Sequence, residues 1–298
     1  MSINIKFEYL CCSNNNLVEL NISKNQALKN LYCSSNKLPS LDVSENTALI
    51  ELSCSWNLLT KLNVSKNQAL KNLYCDSNKL TTLDTSKNPS LMILSCESNS
   101  LTELDLSNNH ALKSLYCGGN KLSSLDVSKN TALIELSCYN NSLTTIDVSN
   151  NTSLEKFNCS DNKLNKLNVS KNTKLIILLC NSNSLSKLNV SKNKELLEIS
   201  CCSNSLSELD VSKNKELLYL YCFENKLSSL DVSNNVNLLR LNCGYNNLKS
   251  LDVSNNTELY ALYYRGNKNI TPPDVSNNKK LEYLDSEIEA DDYNEYFY

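Results

Sequence analysis

Residues 28–48 read LKNLYCSSNKLPSLDVSENTA, and close variants of this stretch follow one another with a period of 21 residues along almost the whole chain. Cysteine returns at the same place in twelve successive units, from Cys12 to Cys243. A fixed period of this length is the signature of a solenoid, in which each unit forms one coil and stacks on its neighbours. The repeat therefore predicts about thirteen stacked coils.

The side-chain pattern within one unit predicts parallel strands. In Leu31-Tyr32-Cys33 alternate side chains point to opposite faces, so Leu31 and Cys33 face inward and Tyr32 faces outward. Leu41-Asp42-Val43 repeats this alternation in the second half of the unit. We expect a right-handed, parallel, β-rich coil with two narrow parallel sheets and little helix. The alternative is an α/β horseshoe with short 3-10 turns in the second half, although the many Asn and Ser residues there favour turns and strand.

Two asparagine columns keep the same register as the cysteines. One runs from Asn36 to Asn267 and the other from Asn25 to Asn256. An inward amide at the corner of a coil can bond backbone groups of its own and adjacent coils through both of its ends. The chain has only 4 Gly and 4 Pro, so we expect these asparagines to serve as the turn-forming device in their place.

The first half of each unit has the pattern L-x-x-L-x-C-x-x-N-x-L, as in residues 28–38, and resembles the leucine-rich repeat signature. The second half, L-x-x-L-D-V-S-x-N, is a near copy of the first. The two together resemble the nested 21-residue "IRREKO" subclass of bacterial leucine-rich repeat proteins. The resemblance implies a leucine-rich repeat solenoid and no particular activity, because that family is defined by its repeat.

The repeat begins and ends irregularly. Met1 occupies the valine position, so the single solenoid domain over residues 1–285 starts in mid-unit without a cap. Because an uncapped coil exposes an open edge, we expect either upstream residues or a partner there, self-association included. One residue is inserted before Ile270, and residues 286–298 form an acidic, aromatic tail that we expect to cover the last coil as a cap, with a free-hanging tail as the alternative.

The cysteine column is expected to hold buried thiols. Adjacent coils place side chains about 4.8 Å apart and parallel, whereas a disulfide requires Cβ atoms about 3.8 Å apart and a torsion near 90°. A straight column also cannot surround zinc. We expect reduced thiols that act as small apolar filler, and no cofactor. Cys11 and Cys202 lie outside the column at outward positions, and these two are expected to react.

Location is open at this point. Reduced thiols and the lack of a signal-peptide pattern favour the cytoplasm, and a secreted or cell-surface location is the alternative if the N-terminus is truncated.

Charge and residue counts exclude several classes of function. Lys+Arg 29 and Asp+Glu 32 give a net charge of −3, so no concentrated basic face is available for nucleic acid. No apolar run reaches the roughly 18 residues that a membrane span requires. The single histidine, His110, excludes a multi-histidine metal site and lies at a turn position where we expect a surface residue.

Aspartate recurs just before the inward valine, as in Asp42 and Asp126. Such a row could line a calcium ladder. Neighbouring lysines such as Lys129 and the asparagines that replace some of the aspartates favour plain charge balancing instead. No metal site is predicted.

Two groups of outward aromatic residues are candidate binding surfaces. The principal candidate, the C-terminal aromatic cluster, contains the only two arginines of the chain and consists of Tyr219, Tyr221, Phe223, Arg240, Tyr245, Tyr263 and Arg265. The second candidate, the tyrosine row, consists of Tyr32, Trp56, Tyr74, Tyr116 and Tyr139. Tyr, Trp and Arg dominate binding hot spots because they bury large areas and keep directional polar ends. Tyrosine stacking that serves stability alone is the alternative.

Cation–π pairing of Arg240 with Tyr219, or of Arg265 with Phe223, would pre-order the C-terminal aromatic cluster. The function predicted from these features is a non-catalytic module that binds another protein through its outer strand face. The alternative is a cell-surface protein of the adhesin type that binds glycans on the tyrosine row. An enzyme is not expected, because the repeats fill the chain.

Overall fold

The computed structural model describes residues 7–285, which form one parallel sheet of 14 strands in chain order. The strands are β1 Tyr9–Cys11, β2 Asn30–Tyr32, β3 Glu51–Ser53, β4 Asn72–Tyr74, β5 Ile93–Ser95, β6 Ser114–Tyr116, β7 Glu135–Ser137, β8 Lys156–Asn158, β9 Ile177–Leu179, β10 Glu198–Ser200, β11 Tyr219–Tyr221, β12 Arg240–Asn242, β13 Ala261–Tyr263 and β14 Tyr283–Leu284. None of the described residues is helical. The predicted parallel solenoid is therefore confirmed, and the helical horseshoe is not observed.

Strand pairing follows the sequence period. Leu31 of β2 pairs with Leu52 of β3, and Leu52 pairs with Leu73 of β4, each 21 residues further on. These central residues are fully buried, as is Cys33, which follows β2. Equivalent positions in consecutive coils join one continuous apolar core along the solenoid. Each coil therefore shields the flat apolar ends of its neighbours, which no coil could do alone.

The prediction of two sheets was wrong. Residues 41–43 and their equivalents form no ladder, so only the first half of each unit contributes a strand. Side chains supply the missing bonds: the Ser44 amide donates to Oδ1 of Asp42 at 2.9 Å. Nδ2 of Asn46 donates to the Ile22 carbonyl of the preceding coil at 3.0 Å. Backbone groups bonded in this way have no need of strand pairing.

The first asparagine column clamps neighbouring coils together, as predicted. Oδ1 of Asn36 accepts a hydrogen bond from the Leu17 amide at 2.9 Å. Its Nδ2 donates to the carbonyls of Cys12, at 3.0 Å, and Cys33, at 3.1 Å. The same bonds recur coil after coil, for example at Asn57. Every amide of this kind holds two coils in register.

The turn nevertheless requires a left-handed residue just before each of these asparagines. Ser35 has φ 55° and Trp56 has φ 56°, and only Gly119 and Gly266 among the equivalent positions are glycine. A left-handed conformation is costly for any residue with a Cβ. The asparagines therefore replace glycine only in part, and most coils accept local backbone strain.

The cysteine column lies inside the solenoid. Eleven members of the column, from Cys33 to Cys243, are buried, and Cys12 is half-buried. All fourteen cysteines of the chain have free thiols. Burial raises the pKa of Cys33 to about 12, which leaves its thiol unreactive. Cys11 is exposed as expected. The prediction for Cys202 was wrong: it is only 6% exposed beside Ser200, and burial raises its pKa to about 12.

Both chain ends fall beyond this description. The start of the repeat at Met1 and the tail at 286–298 lie outside the described residues. The insertion before Ile270 is visible in the asparagine bonds: Asn278 reaches back 25 and 22 residues, whereas Asn256 reaches back 24 and 21. Among residues 7–285 there is no helix with the length and apolar character of a transmembrane segment.

Candidate functional site

A hollow of about 740 Å³ lies in the middle of the outward face of the sheet. We call it the central hollow; it extends along seven coils, and its lining includes Glu97, Tyr116, Tyr139, Ile177, Leu179 and Phe223. Rings stand at its two ends, and shorter side chains such as Asn158 and Ser160 lie between them. The recess exists because this middle stretch has little bulk. Sequence analysis assigned no candidate residue to that stretch, although the change from tyrosine to short residues was a usable signal.

Tyr139 forms part of the wall at the end of the central hollow nearer the N-terminus. Its ring lies against Gly118 of the preceding coil, where an added Cβ would come within 2.2 Å of Cε1 of the ring. Only glycine permits an approach this close. The pair therefore fixes the ring over its neighbouring coil.

A three-residue network stands beside this wall. The Tyr116 hydroxyl donates to Oε2 of Glu135, and Nζ of Lys156 lies 3.0 Å from Oε1 of the same carboxylate. Burial, aided by the hydrogen bond to Glu135, raises the pKa of Tyr116 to about 12. Burial alone would raise the pKa of Glu135, but the hydrogen bonds from Tyr116 and Lys156 outweigh it and lower that pKa. Lys156 is thus already paired with a carboxylate of its own chain.

Two neighbouring carboxylates, those of Asp76 and Glu97, lie at the same end of the hollow. The Glu97 amide donates to Oδ1 of Asp76 at 2.9 Å, and the Ser137 hydroxyl donates to Oε1 of Glu97 at 3.3 Å. Burial, and then the charge of Asp76, raises the pKa of Glu97 above its usual value. The ion pairs found within residues 7–285 involve neither carboxylate. No base of the described chain neutralises this pair.

The opposite wall belongs to the C-terminal aromatic cluster. Phe223 lines the hollow and packs edge to face against Tyr245, with ring centroids 5.1 Å apart. The Tyr245 ring in turn lies against Gly266. Tyr245 remains 48% exposed, whereas Tyr263 is only 6% exposed and offers little surface.

Arg240 of the cluster has an aromatic partner outside the set predicted from the sequence. The guanidinium of Arg240 lies 5.3 Å from the ring centroid of Tyr260, a residue that sequence analysis did not include. Tyr260 occupies a column that holds Leu218 and Leu239 in the two preceding coils, and this exchange of leucine for tyrosine was the available signal.

The tyrosine row divides among three positions of the repeat. Tyr32, Tyr74 and Tyr116 each end a strand and share one outward column. Trp56 belongs instead to the left-handed turn position and is 66% exposed, and Tyr139 directly follows Cys138 at a third position. Tyr9 adds a ring at 5.3 Å from that of Tyr32.

Two further residue types are placed as follows. His110 is exposed, with Nδ1 3.3 Å from the Lys129 carbonyl. The aspartates of this row accept hydrogen bonds from serine amides, and these bonds lower the pKa of Asp42 and Asp126. Within residues 7–285 no three His, Cys, Asp or Glu side chains are grouped as metal ligands would be.

Comparison with solved structures places this geometry in a family. The chain superimposes on the functional domain of InlJ from Listeria monocytogenes, which is described as including a cysteine ladder, with a TM-score of 0.80 and 36% identity over 92% of this chain. The interior file of thiols in this chain matches that description. The chain is a bacterial leucine-rich repeat protein. It spans 66% of the InlJ domain.

Two more structures support the assignment of this leucine-rich repeat fold. A leucine-rich repeat protein from Leptospira interrogans is 25% identical, with a TM-score of 0.83 over 91% of this chain and 76% of its own. The internalin InlF from Listeria monocytogenes is 20% identical, with a TM-score of 0.89 over 95% of this chain and 87% of its own, and shows the fold alone. No protein-family model and no curated protein matches the chain.

Proposed function

We propose that this leucine-rich repeat protein is a non-catalytic module that binds a protein partner on the outward face of its sheet, with the central hollow as the main contact. Neighbours of this fold are typically binding proteins without enzymatic activity, which supports a general binding role. The observation that carries the finer proposal is the hollow of about 740 Å³ between aromatic walls. Concave recesses with apolar and aromatic linings and a few polar groups are the usual binding sites of proteins.

Both candidate surfaces of the sequence analysis contribute to this proposed site. Tyr116 and Tyr139 of the tyrosine row stand at one end, and Phe223 of the C-terminal aromatic cluster stands at the other. Tyr245 and Arg265 are exposed beyond Phe223 and extend the surface along the solenoid. Rings packed against glycine or against one another lose little freedom on binding, which favours affinity.

The test uses a display library of random peptides selected on the full chain. Ile177→Trp fills the floor of the hollow, whereas Val236→Trp adds the same ring at a turn residue that is 48% exposed and does not line the hollow. We expect selected peptides to lose binding to the first variant and to keep it for the second. Peptides that bind both variants equally would overturn the proposal, and so would binding confined to a glycan array.

A further inference from the structure

The charges around the central hollow are unbalanced. Its described lining includes three acids, Glu97, Glu135 and Asp161, and one base, Lys156. Lys156 already contacts Glu135 at 3.0 Å, so it offers no counter-charge to the others. Asp76 adds a fourth carboxylate next to Glu97. The recess therefore presents a negative field that this chain does not neutralise.

The excess charge is concentrated where Asp76 meets Glu97. Asp76 is fixed in place by the Ser55 hydroxyl, which donates to Oδ2 at 2.9 Å, and by the Ser95 hydroxyl on Oδ1. Glu97 is half-buried, and its charge is opposed by burial and by Asp76. A positive group placed here would relieve both penalties, because an opposite charge favours the ionised carboxylate and is screened weakly in a recess.

Two tyrosines end the strands next to this place. Tyr74 and Tyr116 end the strands on either side of β5, whose Ser95 bonds Asp76. The pKa of Tyr74 is raised first by burial, then by the charge of Glu51 and then by the charge of Asp76. The charge of Glu97 is one of the smaller causes that raise the pKa of Tyr116. Tyrosine faces attract ammonium and guanidinium groups, and the rings also cover the alkyl stem of a basic side chain.

The far part of the hollow has a different character. Ile177, Leu179 and Phe223 line it and carry no charge. Phe223 lies six coils from Glu97, which at about 4.8 Å per coil is about 29 Å. An extended peptide rises about 3.3 Å per residue, so roughly nine residues cover this distance.

We propose that the central hollow receives an extended basic segment of a protein partner. A lysine or arginine of that segment lies between Asp76, Glu97 and the tyrosine rings, and aliphatic residues of the same segment cover Ile177 and extend towards Phe223. This inference rests on the proposed function and adds the chemistry of the partner segment, with its basic residue at the Glu97 end of the hollow and its aliphatic residues towards Phe223.

The test measures the affinity of peptides selected from a twelve-residue display library on the full chain, with Ile177→Trp as the counter-target. We expect the retained peptides to carry Lys or Arg together with aliphatic residues. Their affinity should fall about five- to twenty-fold on Glu97→Gln and on Asp76→Asn, which each remove one charge with little change of shape. Glu216→Gln removes a charge at an exposed turn and should leave the affinity unchanged.

A double-mutant cycle identifies the contact. Once Glu97 is Gln, replacement of the basic residue of the peptide by Gln should have little further effect. Peptides that require the open hollow but are neutral or acidic, or are indifferent to Glu97→Gln, would overturn the basic segment and leave the proposed function standing. If no peptide is sensitive to Ile177→Trp, both proposals fail.

Discussion

The Thr85 hydroxyl donates a hydrogen bond of 2.9 Å to Oδ1 of Asn109, one coil further on. Thr85 replaces the inward valine of the repeat at this one coil. In the other coils the equivalent oxygen, such as Oδ1 of Asn151, is buried and accepts no hydrogen bond from the described residues. The Asn109 oxygen thus has a hydrogen-bond donor, whereas the equivalent oxygens in the neighbouring coils have none among the described residues.

Thr85→Val should destabilise the solenoid, because it leaves Oδ1 of Asn109 without a donor at nearly constant volume. We expect a loss of about 1 kcal/mol in the free energy of unfolding, measured by urea denaturation. Val127→Thr, which places a hydroxyl opposite Asn151, should be tolerated far better than a buried hydroxyl elsewhere in the core. Equal destabilisation by Val127→Thr and by Ile199→Thr, which buries a hydroxyl at the centre of β10, would contradict this account.

Glycine at a left-handed turn should stabilise the chain. Ser77 has φ 50°, and its amide hydrogen bond to the Glu97 carbonyl is kept by glycine. Ser77→Gly should therefore raise the free energy of unfolding by about 0.5–1 kcal/mol, through relief of left-handed strain. Ser40→Gly is the matched control, because Ser40 is exposed without a positive φ, and there glycine should only destabilise. A loss of stability in both variants would count against strain at the turn.

The aspartate row should make stability fall in acid. Hydrogen bonds from serine amides lower the pKa of Asp42 and Asp126 below the usual 3.8 in the folded chain. Their contribution is present above that usual value and is lost as the pH falls through the lowered one. Asn63 accepts the same bond from the Ser65 amide at 3.0 Å without a charge.

The double variant Asp42→Asn/Asp126→Asn should accordingly be less stable than the parent at pH 7, where it lacks the charged acceptors, and should lose less stability between about pH 5 and pH 2. Urea unfolding across this range measures the difference, with Glu195→Gln at an exposed turn as the control. Parallel pH profiles for the double variant and the parent would show that the row contributes nothing to acid sensitivity.

Gly118→Ala should displace the Tyr139 ring, since the new Cβ would lie within 2.2 Å of it. We expect a loss of roughly 1–2 kcal/mol in the free energy of unfolding from the overlap. In a Tyr139→Ala background the same substitution should cost far less, because no ring remains to be moved. An undiminished loss in that background would assign the effect to the backbone at Gly118 and not to the ring.

Thiol labelling should distinguish the two cysteines that lie outside the column. Cys11 is exposed and should react with a thiol reagent within the folded chain, whereas Cys202 is buried and should react only on unfolding. Mass spectrometry after brief labelling counts the modified sites, and Cys11→Ser should remove the fast phase. Rapid modification of Cys202 would contradict the burial described here.

The features that depend on position within one unit could be predicted from the sequence. The place of Leu31 and Cys33 in the core, and the clamp formed by Asn36, follow from the period and from strand alternation, because every coil repeats them. The second sheet was wrongly expected because Leu41-Asp42-Val43 alternates like a strand, while Asp42 and Asn46 take over the bonds that a ladder would need.

The candidate site could be predicted only in part. The rings of Tyr116, Tyr139 and Phe223 were identified as outward residues, but the hollow between them depends on how far side chains on seven different coils reach. The same limit explains Cys202, whose outward register was correct and whose burial comes from its neighbours. Features built across coils lie beyond what one period can show.

The reach of the asparagine amides also bears on how such a chain changes in length. Nδ2 of Asn46 bonds the Ile22 and Asn25 carbonyls of the adjacent coil and nothing further away. Removal or duplication of one whole unit in the gene therefore leaves every remaining amide with an equivalent acceptor. Growth by whole units lets this scaffold lengthen or shorten its outward face in evolution without redesign of its interior.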